Sequence, residues 1–351
     1  MTINDILRNQ IQSDTSFRMQ SALIHAAVGI TMIMFLIGFV NATFSLMTFR
    51  DKQLRKIGCG IYLLASSITS LLAISMFTIK FWFVVLIQFY STFNSSVLRT
   101  DCLFIGPVLK LCLYLDGWLN ACVAIERAVN VSKGVNFDKK RSVNIARRII
   151  LILPILIACT IIHEPIHHDL FEYTIQKYRS IPNNYNSTMN ISMESAIKET
   201  FEYVSERRIL CVIRYSPSVQ NYNIITLFFH LIIPFIANFF SAFFIIFGTA
   251  RRRSTAQNNQ TLKEHVLKQI NEHRQLLISP IILFILAIPR LIMALLSGCV
   301  DPSSNPWLYL CGYFISFIPP MLLFAVFVLP SDLYTKTFKE SLTRWRRQIR
   351  Q

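Results

Sequence analysis

Four ionisable side chains, Lys80, Lys110, Asp116 and Arg290, stand inside long apolar runs, where a charge is costly and marks a functional position by default. Lys80, Lys110 and Arg290 fall in the halves of their runs that the topology below places outside. Three cations with few acids nearby suit an anionic group such as a carboxylate, which Arg grips through two parallel hydrogen bonds. The structural alternative is pairing with Glu164 or Asp169, or snorkelling of the long stems toward water. Three histidines, His163, His167 and His168, stand with Glu164 and Asp169 and have metal-ligand types, but their spacing fits no metal motif and no metal is assigned. Catalytic signatures, Gly-rich phosphate loops and CxxC pairs are absent, so neither an enzyme nor a cofactor has a positive case.

The elements that must position these groups are set by composition. With 53% hydrophobic and only 15% charged residues, a mean hydropathy of +0.45 and 28 Phe, the chain carries more apolar surface than one water-exposed core of this length hides. Runs of membrane-spanning length fall near 22 to 49, 58 to 88, 100 to 128, 145 to 163, 222 to 250, 272 to 298 and 306 to 329. The expected fold is an all-α membrane protein, a seven-helix transmembrane bundle over 22–329 with a tail at 1–21 and a terminal segment at 330–351. Pro154, Pro234, Pro289, Pro319 and Pro320 lie inside runs, where neighbouring helices re-satisfy the freed carbonyls, and kinks are expected at Pro234 and Pro289 in particular.

A net charge of +16 raises a nucleic-acid partner, which the distribution of the charge excludes. Of 35 Lys and Arg, 23 fall in Arg50–Lys56, Arg127–Arg148, Arg251–Arg274 and Lys336–Arg350, segments that share one side of a membrane. This places the C-terminus in the cytoplasm and the N-terminus outside. Residues 1–20 lack the pattern of a cleavable signal peptide, so the first run is expected to serve as the targeting signal. The outer loop, about 163 to 222, is rich in Asn, Ser, Tyr and acids, and Asn94, Asn186 and Asn190 are glycosylation acceptors on the outer side. Asn41, Asn130 and Asn259 also fit the acceptor pattern but fall within a run or inside the cell, and are expected to stay bare.

Cys102 opens the third run and Cys211 precedes the fifth, both on the oxidising side, where a disulfide would pin the long loop over the helices; the alternative is a free buried thiol. Cys299 and Cys311 could form a second bridge. From Pro330 onward an amphipathic surface helix is expected, with Leu333, Tyr334, Phe338, Leu342 and Trp345 on one face and Lys336, Lys339, Arg344, Arg346 and Arg347 set to meet anionic lipid headgroups. No Cys in this tail offers a palmitoyl anchor.

Arg127 lies 25 residues after Cys102. At ~1.5 Å per residue a continuous helix carries it roughly 37 Å, to the opposite interface. There, Ala124-Ile-Glu126-Arg127-Ala128 resembles the acidic-Arg-Tyr signature of rhodopsin-like G-protein-coupled receptors, and the chain resembles that family from Ala22 to Arg347, with Asn41, Pro234, Pro289 and the cysteine spacing in support. More narrowly it resembles invertebrate, rotifer-like orphan receptors related to FMRFamide-type peptide receptors, on the runs 118–128, 163–167 and 327–331. The resemblance implies an extracellular ligand, peptide or small molecule, and a heterotrimeric G protein contacted by Arg127, which at rest pairs with Glu126. Lys80, Lys110 and Arg290 would border the ligand cavity.

The departures are specific. The second-helix Asp appears as Ser70, the Trp before Pro289 as Ala287, and the Asn-Pro-x-x-Tyr motif as Leu323–Phe327, with neither Tyr114 nor Tyr334 replacing it. The fourth-helix Trp is missing, and Gln269 stands where the sixth helix usually has an acid, with Glu272 a turn away. Asp116 is read as the displaced carboxylate, forming with Ser70 and Asn120 a cation or proton site between ligand pocket and Arg127; the alternative is a protonated packing group. A seven-helix receptor that binds ligand without coupling to G proteins is the rival reading. A transporter or channel comes third, for want of an inverted repeat or a ring of intramembrane acids. The 306 to 329 run has no Lys, which excludes a retinal Schiff base.

Overall fold

The computed structural model describes residues 17–89, 99–180, 201–213, 215–256, 282, 285–286, 288–289, 292, 311–312 and 314–350. Five long helices appear in order: α1 (Phe17–Phe49), α2 (Gly58–Phe89), α3 (Gly106–Lys133), α4 (Lys139–Ile161) and α5 (Pro217–Ala256). Each contains a stretch long and apolar enough to cross a membrane, and the chain is a helical membrane protein. A sixth helix, α6 (Asp332–Arg350), closes the chain. Of the expected runs at 272 to 298 and 306 to 329, most of the first and the beginning of the second lie outside the described residues.

Local chemistry sets the ends. Asp51 turns the chain after α1 by accepting the Gln53 N–H at 2.8 Å, and a single tight turn, Leu54–Lys56, leads into α2. Close packing there requires glycine, because a Cβ at Gly60 would lie 2.1 Å from the Leu54 carbonyl oxygen. α3 ends at Gly134, whose φ of 54° is a conformation L side chains rarely adopt. α4 begins where Asp138 accepts the Arg141 N–H at 3.1 Å, six residues before the start expected from hydropathy. The basic turn Lys139–Arg148 reads as loop by polarity, yet it is capped and helical.

Large apolar side chains face outward along the bundle: Leu151 is 72% exposed and Ile225 66%, values that only a lipid surrounding makes favourable for so many residues. Small residues, Ala27, Ala42, Thr31 and Ser45, make the buried face of α1. Inside, one apolar cluster joins Phe77, Phe81, Phe314 and Phe317, and another joins Phe49, Leu63, Leu119, Phe324 and Phe327.

Two expectations need correction. The loop expected outside, about 163 to 222, contains a hairpin, β1 (His168–Ser180) antiparallel to β2 (Phe201–Ile213), with Leu170 opposite Cys211 and Ser180 opposite Phe201. Its Phe, Tyr, Ile and Val content favours strands, a signal masked by the polar residues between them. The run to 329 is not one continuous helix either. Among its described residues, a turn at 316–317 precedes Ile318–Met321, and a wide π-helical turn spans Phe324–Val328. Pro319 and Pro320 lack the N–H groups needed to continue the ladder, and in the π-helical turn that follows the Ala325 N–H donates to Asn41 Oδ1 of α1 at 3.2 Å.

Candidate functional site

At mid-bundle, Asp116 of α3 is 3% exposed and faces α2. Its Oδ1 accepts from Ser66 Oγ at 2.6 Å and Ser70 Oγ at 3.4 Å, and its Oδ2 accepts from Asn120 Nδ2 at 3.3 Å. The structure brings the expected trio together and adds Ser66, one turn from Ser70 on the same face of α2. The Asn120 Oδ1 is buried without a hydrogen-bond partner. Ser67, beside Ser66, bonds Ser45 of α1 at 3.0 Å, so hydroxyls link three helices at this level.

At the Gly58 end of the bundle, Glu126 and Arg127 do not form the expected ion pair. Adjacent residues on a helix point about 100° apart, and neither side chain turns back to the other. Ser142 of α4 donates to Glu126, and the Gly58 N–H donates to Ser142 Oγ at 3.1 Å. Arg127 lies over the ring of Phe327, 5.5 Å from its centroid, and interacts with Cys59 and Tyr334. Tyr334, set aside on sequence as a replacement for the missing motif tyrosine, thus reaches Arg127 from α6. Burial raises its phenol above the ordinary range.

At the opposite end of the bundle Lys110 donates to Glu164 and, at 3.1 Å, to Asn223 Oδ1. Of the alternatives left open, ion pairing is the one realised, and Glu164 itself is 8% exposed. The Lys80 ammonium lies where a Cβ at Gly106 would meet it at 3.1 Å, on the side of α2 facing the start of α3. Tyr215, before α5, is raised above its usual value by burial and then by Glu164. Arg290 lies outside the described residues, as do Ala287, Gln269 and Glu272; Pro289 is helical. Pro234 lies within α5, where Asn238 Nδ2 donates to its carbonyl at 2.8 Å.

A further constellation was missed on sequence. His230 of α5 is 5% exposed, stacked on Tyr114 with centroids 4.6 Å apart, and its Nδ1 accepts from Trp118 Nε1 at 2.9 Å. Indole only donates, so the neutral ring carries its proton on Nε2 and donates to Thr160 Oγ1 at 2.8 Å. Thr160 passes the chain to the Ile157 carbonyl at 2.7 Å. An ionisable side chain inside a span was the available signal.

Cys102 is held in a disulfide, and Cys59, Cys112, Cys122, Cys159 and Cys311 are free. The second bridge between Cys299 and Cys311 is therefore not formed. The side chain of Cys211 and the acceptors Asn94, Asn186 and Asn190 lie outside the described residues. Among the described residues no group of three or more His, Cys, Asp or Glu is placed to hold a metal.

Comparison with protein-family models and with the curated proteins finds no match for this chain.

Proposed function

We propose that the chain is a rhodopsin-like G-protein-coupled receptor of the plasma membrane, carrying an extracellular signal, peptide or small molecule, to a heterotrimeric G protein. The observation that carries the reading is the path of residues 314–328. Phe314 packs 6.2 Å from Phe81 and Phe317 4.2 Å from Phe77, positions about 28 to 35 Å along α2 from Gly58 at ~1.5 Å per residue. Phe327 sits under Arg127 at the Gly58 end. This segment therefore runs through the bundle from the outer to the inner level. The end of α5 lies on the inner side, so the chain between them needs one further crossing, which the apolar run at 272 to 298 supplies. Seven crossings result.

In this reading Cys102 pairs with Cys211, joining α3 to the hairpin whose β1 runs beside Cys211. Asn94, Asn186 and Asn190 carry sugar. The Asp116 pocket holds a proton or a small cation between the ligand basin and Arg127. Movement of α5 and the sixth run about Pro234 and Pro289 opens the inner end, where Arg251–Arg253 and Lys139–Arg141 receive the G protein. Only a ligand that binds the open state better than the closed one can drive this change. α6 lies on the inner leaflet.

The test is guanine-nucleotide exchange in membranes containing the chain and purified G proteins. The parent should accelerate exchange over empty membranes, basally or with an agonist found by library screening, and Arg127→Ala should remove the acceleration. Ligand binding without acceleration across the G-protein classes would favour the non-coupling receptor, and ion or solute flux would favour a transporter or channel.

A further inference from the structure

We propose that the cleft between the 51–56 turn and α6 is a binding site for the polyphosphorylated headgroup of an inner-leaflet inositol phospholipid. The proposal rests on the orientation argued above, which puts this cleft at the cytoplasmic face. The cavity measures about 1780 Å³, ample for an inositol ring with several phosphates and bound water. Eight Lys and Arg side chains line it against two acids, Asp51 and Glu340. Asp51 is already engaged by Arg344, at 2.7 Å, and so offers little compensation to the rest.

The cations stand on two facing walls. Lys52 and Arg55 come from the turn, Lys336, Lys339 and Arg347 come from α6, and Arg127 closes the inner end. Two walls of one sign repel unless an anion lies between them, and one multivalent headgroup meets both at once. A membrane lipid rather than a free phosphate is favoured by the rim. Leu333 and Trp345, which also line the cleft, are 63% and 51% exposed, apolar surface placed beside the cations where acyl chains would emerge from a bound headgroup. Tyr334, which also lines the cleft, and Phe338 pack against Phe49 and Phe44 at 5.3 Å each and fix the height of the helix on the bundle.

The full-length chain, purified into phosphatidylcholine nanodiscs, would be tested for retention of phosphatidylinositol bisphosphate against phosphatidylserine at equal total charge. Native mass spectrometry reads bound lipid directly. Preferential retention of the bisphosphate lipid, by tenfold or more, is expected. Each removed cation should weaken binding about fivefold, so the triple variant Lys336→Gln/Lys339→Gln/Arg347→Gln should lose on the order of a hundredfold. A second variant on the opposite wall, Lys52→Gln/Arg55→Gln, should lose affinity similarly, which guards against misfolding of α6 as the cause. Equal retention of the two lipids at equal charge overturns the proposal, as does retention unchanged in both variants. Binding of soluble inositol trisphosphate as tight as that of the lipid, or tighter capture of an acidic peptide, overturns the lipid assignment. No G protein enters this assay, so its failure leaves the receptor reading standing, and failure of nucleotide exchange leaves the lipid site standing.

Discussion

Ser66 of α2 donates a 2.6 Å hydrogen bond to Asp116 of α3, and this contact, with Ser70 and Asn120 beside it, makes a carboxyl the centre of the bundle's polar interior. Removing the acid while keeping an acceptor separates charge from packing. Asp116→Asn should leave thermal stability nearly intact and abolish any sodium or pH dependence of ligand binding. Asp116→Leu should lower stability by about 1–3 kcal/mol, by stranding the hydroxyl and amide donors. Equal sodium responses in parent and Asp116→Asn would refute the ion-site role.

In the receptor reading the Lys110–Glu164 pair guards the outer mouth; its side chains are 19% and 10% exposed. Breaking a mostly buried pair strands one charge, whereas replacing both partners need not. Lys110→Gln and Glu164→Gln should therefore each destabilise by a few kcal/mol, and the double variant by less than their sum, a coupling that a double-mutant cycle in thermal unfolding reads. A ligand with an anionic group must displace Glu164, so Glu164→Gln should raise its affinity. Additive losses, with ligand affinity unmoved, would remove Lys110 from both roles.

Gly60 and Gly29 make a matched contrast. An added Cβ meets the Leu54 carbonyl oxygen at 2.1 Å at Gly60 and nothing within 4 Å at Gly29. Backbone cannot yield as a side-chain tip can. Gly60→Ala should cost about 4 kcal/mol or more, or abolish surface expression, while Gly29→Ala stays within about 0.5 kcal/mol. Equal expression and melting temperature for the two would contradict the close approach of the 54–60 turn.

The Asp51–Arg344 contact gives α6 a pH dependence of known sign. The hydrogen bond from Arg344 holds the Asp51 carboxyl below its ordinary value, against opposing desolvation. A carboxyl depressed on folding contributes stability present above its unfolded pKa and lost as pH falls through the folded one. Docking of α6 should hold at neutral pH and weaken only in acid below the usual carboxylate range. Since Arg344 is 60% exposed, solvent screening keeps the contribution under about 1 kcal/mol. Hydrogen exchange of α6 amides in parent and Arg344→Ala, across acid pH, measures it; the same acid response in both would show that the pair does not set it.

Much of the fold was legible because apolar length alone defines a span: the expected 58 to 88 is Gly58–Phe89, and 22 to 49 falls within Phe17–Phe49. Hydropathy failed where polarity and structure diverge. The Lys139–Arg148 turn is helical because Asp138 caps it, and the hairpin escaped notice because polar residues interleave its strand formers. At the site, Asp116 and Asn120 share a face as any i, i+4 pair does, so their meeting could be read from spacing. Ser66 had the same periodic relation to Ser70 and was overlooked. Glu126 and Arg127 were joined by family expectation against helical geometry, and the partner of Lys110 could be chosen only once the packing of His163–Ile166 above α3 was known.

Threading through the membrane underlies every functional statement here. Epitope tags at the two ends, probed with antibody on intact and then permeabilised cells, test it most directly. The receptor reading requires the N-terminal tag to stain intact cells and the C-terminal tag to stain only after permeabilisation. Staining of both tags from the same face would mean an even number of crossings and would contradict it.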